Sequence, residues 1–212
     1  MSIATEAPPR RRLGEADRLR LLREAAEDVF LRDGYAAARM DDVAALAGMS
    51  KRTLYQHFPS KAELFGAVMK DCFGPVAIDP ALESEPELAA ALCGMLVALT
   101  HHIFEPRQVA ILRLVIGEVK RSPELADAFN RAVLDKGANA LERRLAAEVA
   151  KGRLSLTDPV EGAHMLFGMA IGAAHMFLLL GLQGPPTEAE MHRLTRDAVD
   201  VFLRGALRSA DG

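Results

Sequence analysis

The 212-residue sequence has no tryptophan, only two tyrosines and only two cysteines. Cys72 and Cys93 form neither a CxxC pair nor another metal-ligand spacing, so a disulfide framework and a structural zinc site are both excluded, and a reducing cytoplasm is the expected setting. Sustained period-two alternation is missing, as is an Asn-Gly hairpin turn. With Ala, Leu, Glu and Arg dominant, no sheet is expected. No phosphate-cradling Gly loop, nucleophile–base constellation or metal motif is present, which removes the common enzyme classes and gives no reason to expect a cofactor. Arg10, Arg11 and Arg12 have no apolar run behind them, so the N-terminus does not read as a secretory signal.

Charge of one sign is also scarce. Residues 1–70 carry 12 basic against 10 acidic residues, and residues 71–212 carry 14 against 19, within a net charge of -3. A mildly positive front and an acidic rear fit a head that meets phosphates and a body that does not.

Helix punctuation, by contrast, is frequent. Residues 1–16, with Pro8, Pro9 and three arginines, read as a flexible basic arm, either a minor-groove or phosphate contact or a solvated tail. A first helix is predicted from Asp17 to Arg32, stopped by Gly34. Short helices follow at Met40–Ala47 and Ser50–His57, and Ser60-Lys61-Ala62-Glu63 is a capping box that opens a fourth. The Pro-containing acidic stretch Gly74–Glu85 separates head from body. Further helices are predicted from Leu88 to Pro106, from Gln108 to Lys120, and from Ser122-Pro123 to Gly152. An uncharged one runs from Asp158-Pro159 to Gly184-Pro185-Pro186, and the last opens at the capping box Thr187-Glu188-Ala189-Glu190. The expectation is an all-α chain of about nine helices, with a three-helix head at 17–62 and a C-terminal helical domain at 63–212.

Residues 162–182 contain no Asp, Glu, Lys or Arg, a length that could cross a bilayer. His164, His175 and four glycines lie within it, and no Trp or Tyr marks its ends. It therefore reads as a helix buried in a core or subunit interface rather than a membrane span.

The informative stretch is Met40–Phe58. Val43, Ala47, Met49 and Leu54 supply apolar faces, Ala44 is small where two helices cross, Gly48 sits in the turn, and Ser50 can cap the second helix. Lys51, Arg52, Thr53, Tyr55, Gln56 and His57 then cover the outer side, where they can donate to phosphates or base edges. By pattern alone, a helical hairpin with a solvated polar face fits almost as well.

Context moves the balance. Ala26-Glu27-Asp28-Val29-Phe30, Gly34-Tyr35, Val43-Ala44, Ala47-Gly48-Met49-Ser50 and Thr53-Leu54-Tyr55-Gln56-His57-Phe58-Pro59-Ser60-Lys61-Ala62-Glu63-Leu64 together resemble the TetR family of bacterial transcriptional regulators over residues 17–70. Arg113-Leu114-Val115-Ile116 with Ser122-Pro123-Glu124-Leu125 resembles its AcrR- and AefR-like branch. The resemblance implies a homodimer with two DNA-binding heads, a four-helix bundle from the last two helices, and a small-molecule pocket in the body. It also implies base contacts from Lys51, Arg52, Thr53 and Tyr55 and phosphate contacts from Ser50, Gln56, His57 and Lys61. Where the family has Thr or Ser leading into its second helix, this chain has Ala38-Arg39-Met40, so Arg39 is expected to reach phosphate in its place.

Met95, Leu99, His102, Arg113, Phe129, Met165 and Met169 are the expected pocket residues, although the methionines suit a plain core equally and Arg113 suits an ion pair with Glu118. Gly168, Gly172, His175, Leu179, Leu194, Val201 and Phe202 are the expected dimer contacts. The histidines read as core, pocket or interface groups, not ligands. The expected function is repression at a palindromic operator on double-stranded DNA, relieved by an apolar or amphipathic effector. The alternatives are an activator, a ligand-independent regulator, or a membrane-associated interaction protein.

Overall fold

The structure, a computed structural model, describes residues 14–134 and 140–206. Arg10, Arg11, Arg12 and the rest of the expected arm up to Leu13 lie outside them. The helices are α1 (Glu15–Asp33), α2 (Met40–Leu46), α3 (Lys51–His57), α4 (Lys61–Cys72), α5 (Pro80–Ser84), α6 (Leu88–Phe104), α7 (Pro106–Glu118), α8 (Glu124–Leu134), α9 (Ala140–Ala150), α10 (Pro159–Leu179) and α11 (Glu188–Ala206). Among the described residues there is no strand.

Caps set most boundaries. Ser50 Oγ accepts from Thr53 N at the start of α3, and Ser60 Oγ accepts from Glu63 N at the start of α4, both at 3.1 Å. Asp158 accepts from Val160 N at 2.8 Å with Pro159 behind it. The Thr187–Glu190 box closes in both directions: Thr187 N donates to Glu190 Oε2 at 2.8 Å and Glu190 N donates to Thr187 Oγ1 at 3.3 Å. These bonds satisfy donors that a helix start leaves unpaired.

Four boundaries differ from expectation. α1 begins at Glu15, so Glu15 and Ala16 are helical rather than part of an arm. Pro106 opens α7 at its first position, where a missing N–H costs nothing, instead of only ending α6. Asp79-Pro80 starts an additional short helix, α5, capped by Asp79 onto Ala81 N. α10 ends at Leu179 because Gly181, at φ +73°, turns the chain there, and Leu182 N donates back to Phe177 O. The expected helix 122–151 is represented by α8 and α9 on either side of residues 135–139.

The chain divides into two compact units at Val68/Met69. The division falls near the middle of α4, not at Ala62/Glu63 in its first turn nor in the 74–85 stretch behind it. In the first unit, Leu22, Ala26, Val29 and Phe30 of α1 are buried with Val43 and Ala44 of α2, Leu54 of α3 and Leu64, Phe65 and Val68 of α4. Phe30, Tyr35 and Phe65 form a three-ring cluster with centroids 5.1–5.6 Å apart. In the second unit the core gathers Leu92, Met95 and Leu96 of α6, Leu141 and Leu145 of α9, Leu166 and Ile171 of α10, and Val199 and Phe202 of α11.

Candidate nucleic-acid interface and effector groove

Two helices of seven residues each, α2 and α3, carry the chemistry of the first unit. Gly48 takes φ +65°, and Met49 N donates to Ala44 O at 2.9 Å, closing α2 with a left-handed turn that a side chain would strain. Leu54 is fully buried and pins one side of α3 to the core. The other side therefore faces solvent: Lys51, Arg52, Tyr55 and Gln56 are exposed, and Thr53 and His57 are half-buried. Lys51, Arg52, Tyr55 and Gln56 thus share one side of α3, with the half-buried Thr53 and His57 toward another. Ser50 and Thr53 spend their hydroxyls on each other at 2.8 Å, shaping the first turn. Lys51 Nζ lies 2.6 Å from Asp41 Oδ2 of α2. Arg39 stands at the start of α2, makes no side-chain cap and is exposed.

Lys61 departs from its expected role. It does not reach outward to phosphate. Its ammonium donates to Tyr35 O at 2.7 Å, Ala36 O at 3.1 Å and Ala38 O at 3.2 Å, and it sits 4.6 Å from the Tyr35 ring centroid. All three of its N–H bonds are committed.

The second unit holds an open, mostly apolar groove of about 410 Å³, lined by Leu112, Val115, Ile116 and Val119 of the α7 side and by Ala126, Asp127, Phe129 and Asn130 of α8, with Asp127 and Asn130 supplying its polar groups. Phe129 packs edge-on against Phe73 at 5.3 Å. Gln108 shares the helical face of Leu112, Val115 and Val119 and is buried. Its Nε2 donates to Cys72 O at 3.3 Å and lies 3.5 Å from His102 Nδ1, while Gln108 Oε1 and His102 Nε2 are buried without a hydrogen-bond partner.

Of the expected pocket residues, Phe129 lines this groove, and His102 is not among its lining residues. Met95 is sealed in the core and Leu99 packs against it. Arg113 does not enter a pocket: it donates from Nε to Leu179 O at 3.0 Å and from Nη2 to Leu178 O, capping the end of α10. Met165 and Met169 are 64% and 44% exposed on the outer face of α10. They belong to a strip with Gly168, Gly172, Met176, Phe177 and Leu180, all exposed. A side chain at Gly168 or Gly172 would meet open space.

Among the expected dimer contacts, Gly168, Gly172 and Val201 are exposed and Leu194 is half-buried. His175 is half-buried with its ring edge-on to Phe104 at 5.6 Å, and burial pushes its pKa down. Leu179 packs against the core. Phe202 is 7% exposed and points inward, because its neighbours at helical spacing, Ala198, Val199 and Ala206, are all buried. Met165, Met169, Gly172 and Met176 repeat at helical spacing and so share one face. Gln108 and Asp41 are the functional candidates that pattern reading passed over.

Residues 22–68 match the tetR family of bacterial regulatory proteins, and residues 90–205 match the C-terminal domain of AefR-like transcriptional repressors. The DNA-binding transcriptional repressor TetR of Mycobacteroides abscessus is 29% identical over 198 residues, covering 92% of this chain and 98% of that one. The HTH-type transcriptional regulator SrpR of Pseudomonas putida is 32% identical over 194 residues, covering 90% and 86%. Among solved structures, the flavonoid-responsive regulator FrrA superposes with a TM-score of 0.74 at 27% identity, covering 92% of this chain and all of that one.

Proposed function

The chain belongs to the TetR family of bacterial regulatory proteins, with an AefR-like C-terminal half, and from that premise we propose a cytoplasmic homodimeric repressor that leaves a palindromic operator when an apolar or amphipathic effector binds. It is a DNA-binding transcriptional regulator and not an enzyme. The observation that carries the reading is the row of Lys51, Arg52, Tyr55 and Gln56 on the solvent side of α3, with Leu54 locking the opposite side. A short helix of this kind offers its N-terminal side chains to base edges in a major groove.

The exposed strip of α10 supports the dimer. Methionine, phenylalanine and glycine over four turns leave an apolar surface that a second copy of the same helix can cover. α10 is also long and apolar enough to cross a membrane, but its other face is built into the core, which favours a protein partner over lipid. Two copies impose two-fold symmetry on the DNA site.

The groove between α7 and α8 supports the effector. It is mostly apolar, carries Asp127 and Asn130 as polar groups, and is of a size that small-molecule sites use. FrrA, similar over its full length, is flavonoid-responsive, and a hydroxylated aromatic has the ring area and the hydroxyl to fit. Release requires that such a molecule bind the DNA-free state more tightly than the DNA-bound one.

The test is selection of bound duplexes from a random pool, followed by sedimentation of the complex. An inverted repeat bound by two chains or a multiple of two is the expected outcome. A non-repetitive consensus bound by one chain would overturn the reading.

A further inference from the structure

α2 starts without a device of its own. Arg39 occupies the cap position and makes no side-chain bond to the helix, whereas α3 and α4 are each opened by a serine that does. Yet the entry to α2 is well defined. Ala38 N donates to Gly34 O at 3.1 Å, and Arg39 O accepts from Asp42 N at 3.1 Å and Val43 N at 3.3 Å. What holds this segment from outside is Lys61, whose ammonium gathers the carbonyls of Tyr35, Ala36 and Ala38 at 2.7–3.2 Å.

Three carbonyls converging on one point need a compact cation with three donors arranged around a single atom. A planar guanidinium spreads its donors over several ångströms and cannot serve all three. The Tyr35 ring, 4.6 Å away, adds its negative face to the same cation, and that ring is fixed in turn by Phe30 and Phe65. With its three N–H groups directed to carbonyls, the ammonium keeps its charge but has no N–H left for a phosphate.

We propose that Lys61 is a positioning residue for DNA reading: by gathering the carbonyls of Tyr35, Ala36 and Ala38 it fixes the entry to α2, and through the packing of α2 against α3 the reading face of α3, without itself touching DNA. The consequence is a separation of two quantities that a phosphate contact would move together. Losing a phosphate contact weakens every duplex and lowers the salt dependence by about one unit per head. Losing a positioning residue misplaces the reading side chains, so the selected duplex suffers more than a scrambled one while the salt dependence stays.

The experiment uses the full chain with Lys61→Met and Lys61→Arg, the duplex recovered by selection with the wild-type protein, and a scrambled duplex, over a salt series. Folded fraction is followed by circular dichroism and affinities are stated per folded molecule. For Lys61→Met, the selected-to-scrambled affinity ratio is expected to fall by roughly tenfold, the size of one lost base contact, with the salt slope unchanged. Lys61→Arg keeps the charge and is expected to leave that ratio low; it also carries the test alone if the methionine variant does not fold. A reduced slope with the ratio intact would overturn the proposal in favour of a phosphate contact. A loss of folded fraction with ratio and slope both intact would overturn it in favour of plain scaffolding, and full recovery of the ratio by arginine would show that charge alone suffices.

Discussion

Lys51 Nζ of α3 and Asp41 Oδ2 of α2 meet at 2.6 Å, and Arg39 Nη2 lies 3.9 Å from the same carboxylate oxygen. The leading cation of the reading helix is therefore partnered by the helix before it. Both groups of the close pair are open to solvent, so the pair is worth at most about 1 kcal/mol and Lys51 can leave it for DNA at small cost. Asp41 then keeps only the more distant Arg39, and its charge is expected to repel nearby phosphates. Asp41→Asn is expected to raise affinity for scrambled duplex about fivefold at low salt, the equivalent of roughly 1 kcal/mol of removed repulsion, with the gain shrinking as salt rises. Titrations at two ionic strengths check this. No gain at low salt would place Asp41 away from the path of the DNA.

Gly172→Arg tests the α10 strip. A Cβ at this position meets nothing within 4 Å in a single chain, so the fold has room for the change and only an intermolecular surface would object. The expected result in sedimentation velocity is a monomer with an unchanged helical spectrum. A dimer of wild-type mass would move the interface elsewhere.

Gln108→Leu tests whether the buried polar pair of Gln108 and His102, one helical turn along α7 from Leu112 of the groove, takes part in effector binding. An orphaned buried carbonyl costs about 1–3 kcal/mol, and replacing it removes that cost while forfeiting the bond to Cys72 O, so the ligand-free protein is expected to melt close to wild type. A flavonoid that raises the wild-type melting temperature is expected to lose at least about tenfold in affinity for the variant, the worth of one buried hydrogen bond. An undiminished thermal shift would remove Gln108 from effector binding.

Glu148 offers a pH-dependent test. It is fully buried, with Arg144 Nε and Lys151 Nζ each 3.3 Å away and Arg153 hydrogen-bonded. Arg144 in turn holds Glu83 O and Glu85 O at 2.8 and 2.7 Å. The hydrogen bond from Arg153, foremost, holds the Glu148 carboxyl below its ordinary value of 4.5. As pH falls, the unfolded chain takes up this proton before the folded one does. The contribution to stability is thus complete above the ordinary carboxylate range and is lost as pH drops through the lowered folded value. Glu148→Gln is expected to cost about 3–5 kcal/mol at neutral pH, as removal of one partner from a buried ion cluster does, and to flatten the acid limb of stability. Denaturant melts from pH 7 downward measure both; a parallel pair of curves would mean that Glu148 does not titrate in that range.

The helices were legible in the sequence where a side chain next to the boundary settles it: Ser50, Ser60, Asp158 and Thr187 each make the predicted cap. Legibility failed where the deciding contact is distant. Lys61 looks like any lysine at a helix start, and its role depends on carbonyls of residues 35–38 brought to it by the fold. Met165 and Met169 sit in a helix apolar on every side, so composition could not separate an outward strip from a pocket wall. Phe202 and Val201 are adjacent, and only the packing of α11 decides which one turns inward. The surface of α3 was readable because one buried residue, Leu54, fixes the orientation of a helix of seven residues.

Arg113 gives α7 two attachments. On one flank the helix walls the groove with Leu112, Val115 and Ile116; on another, Arg113 grips the last carbonyls of α10, beside the exposed Phe177 and Leu180. Thirteen residues of α-helix behave as a short stiff rod, and a rod cannot yield at one side without its other side following. A displacement of α7 against α8 is therefore expected to be carried to the end of α10. The guanidinium is the joint between them, and a lysine, with its donors on a single atom at the end of a pliant stem, is expected to loosen it.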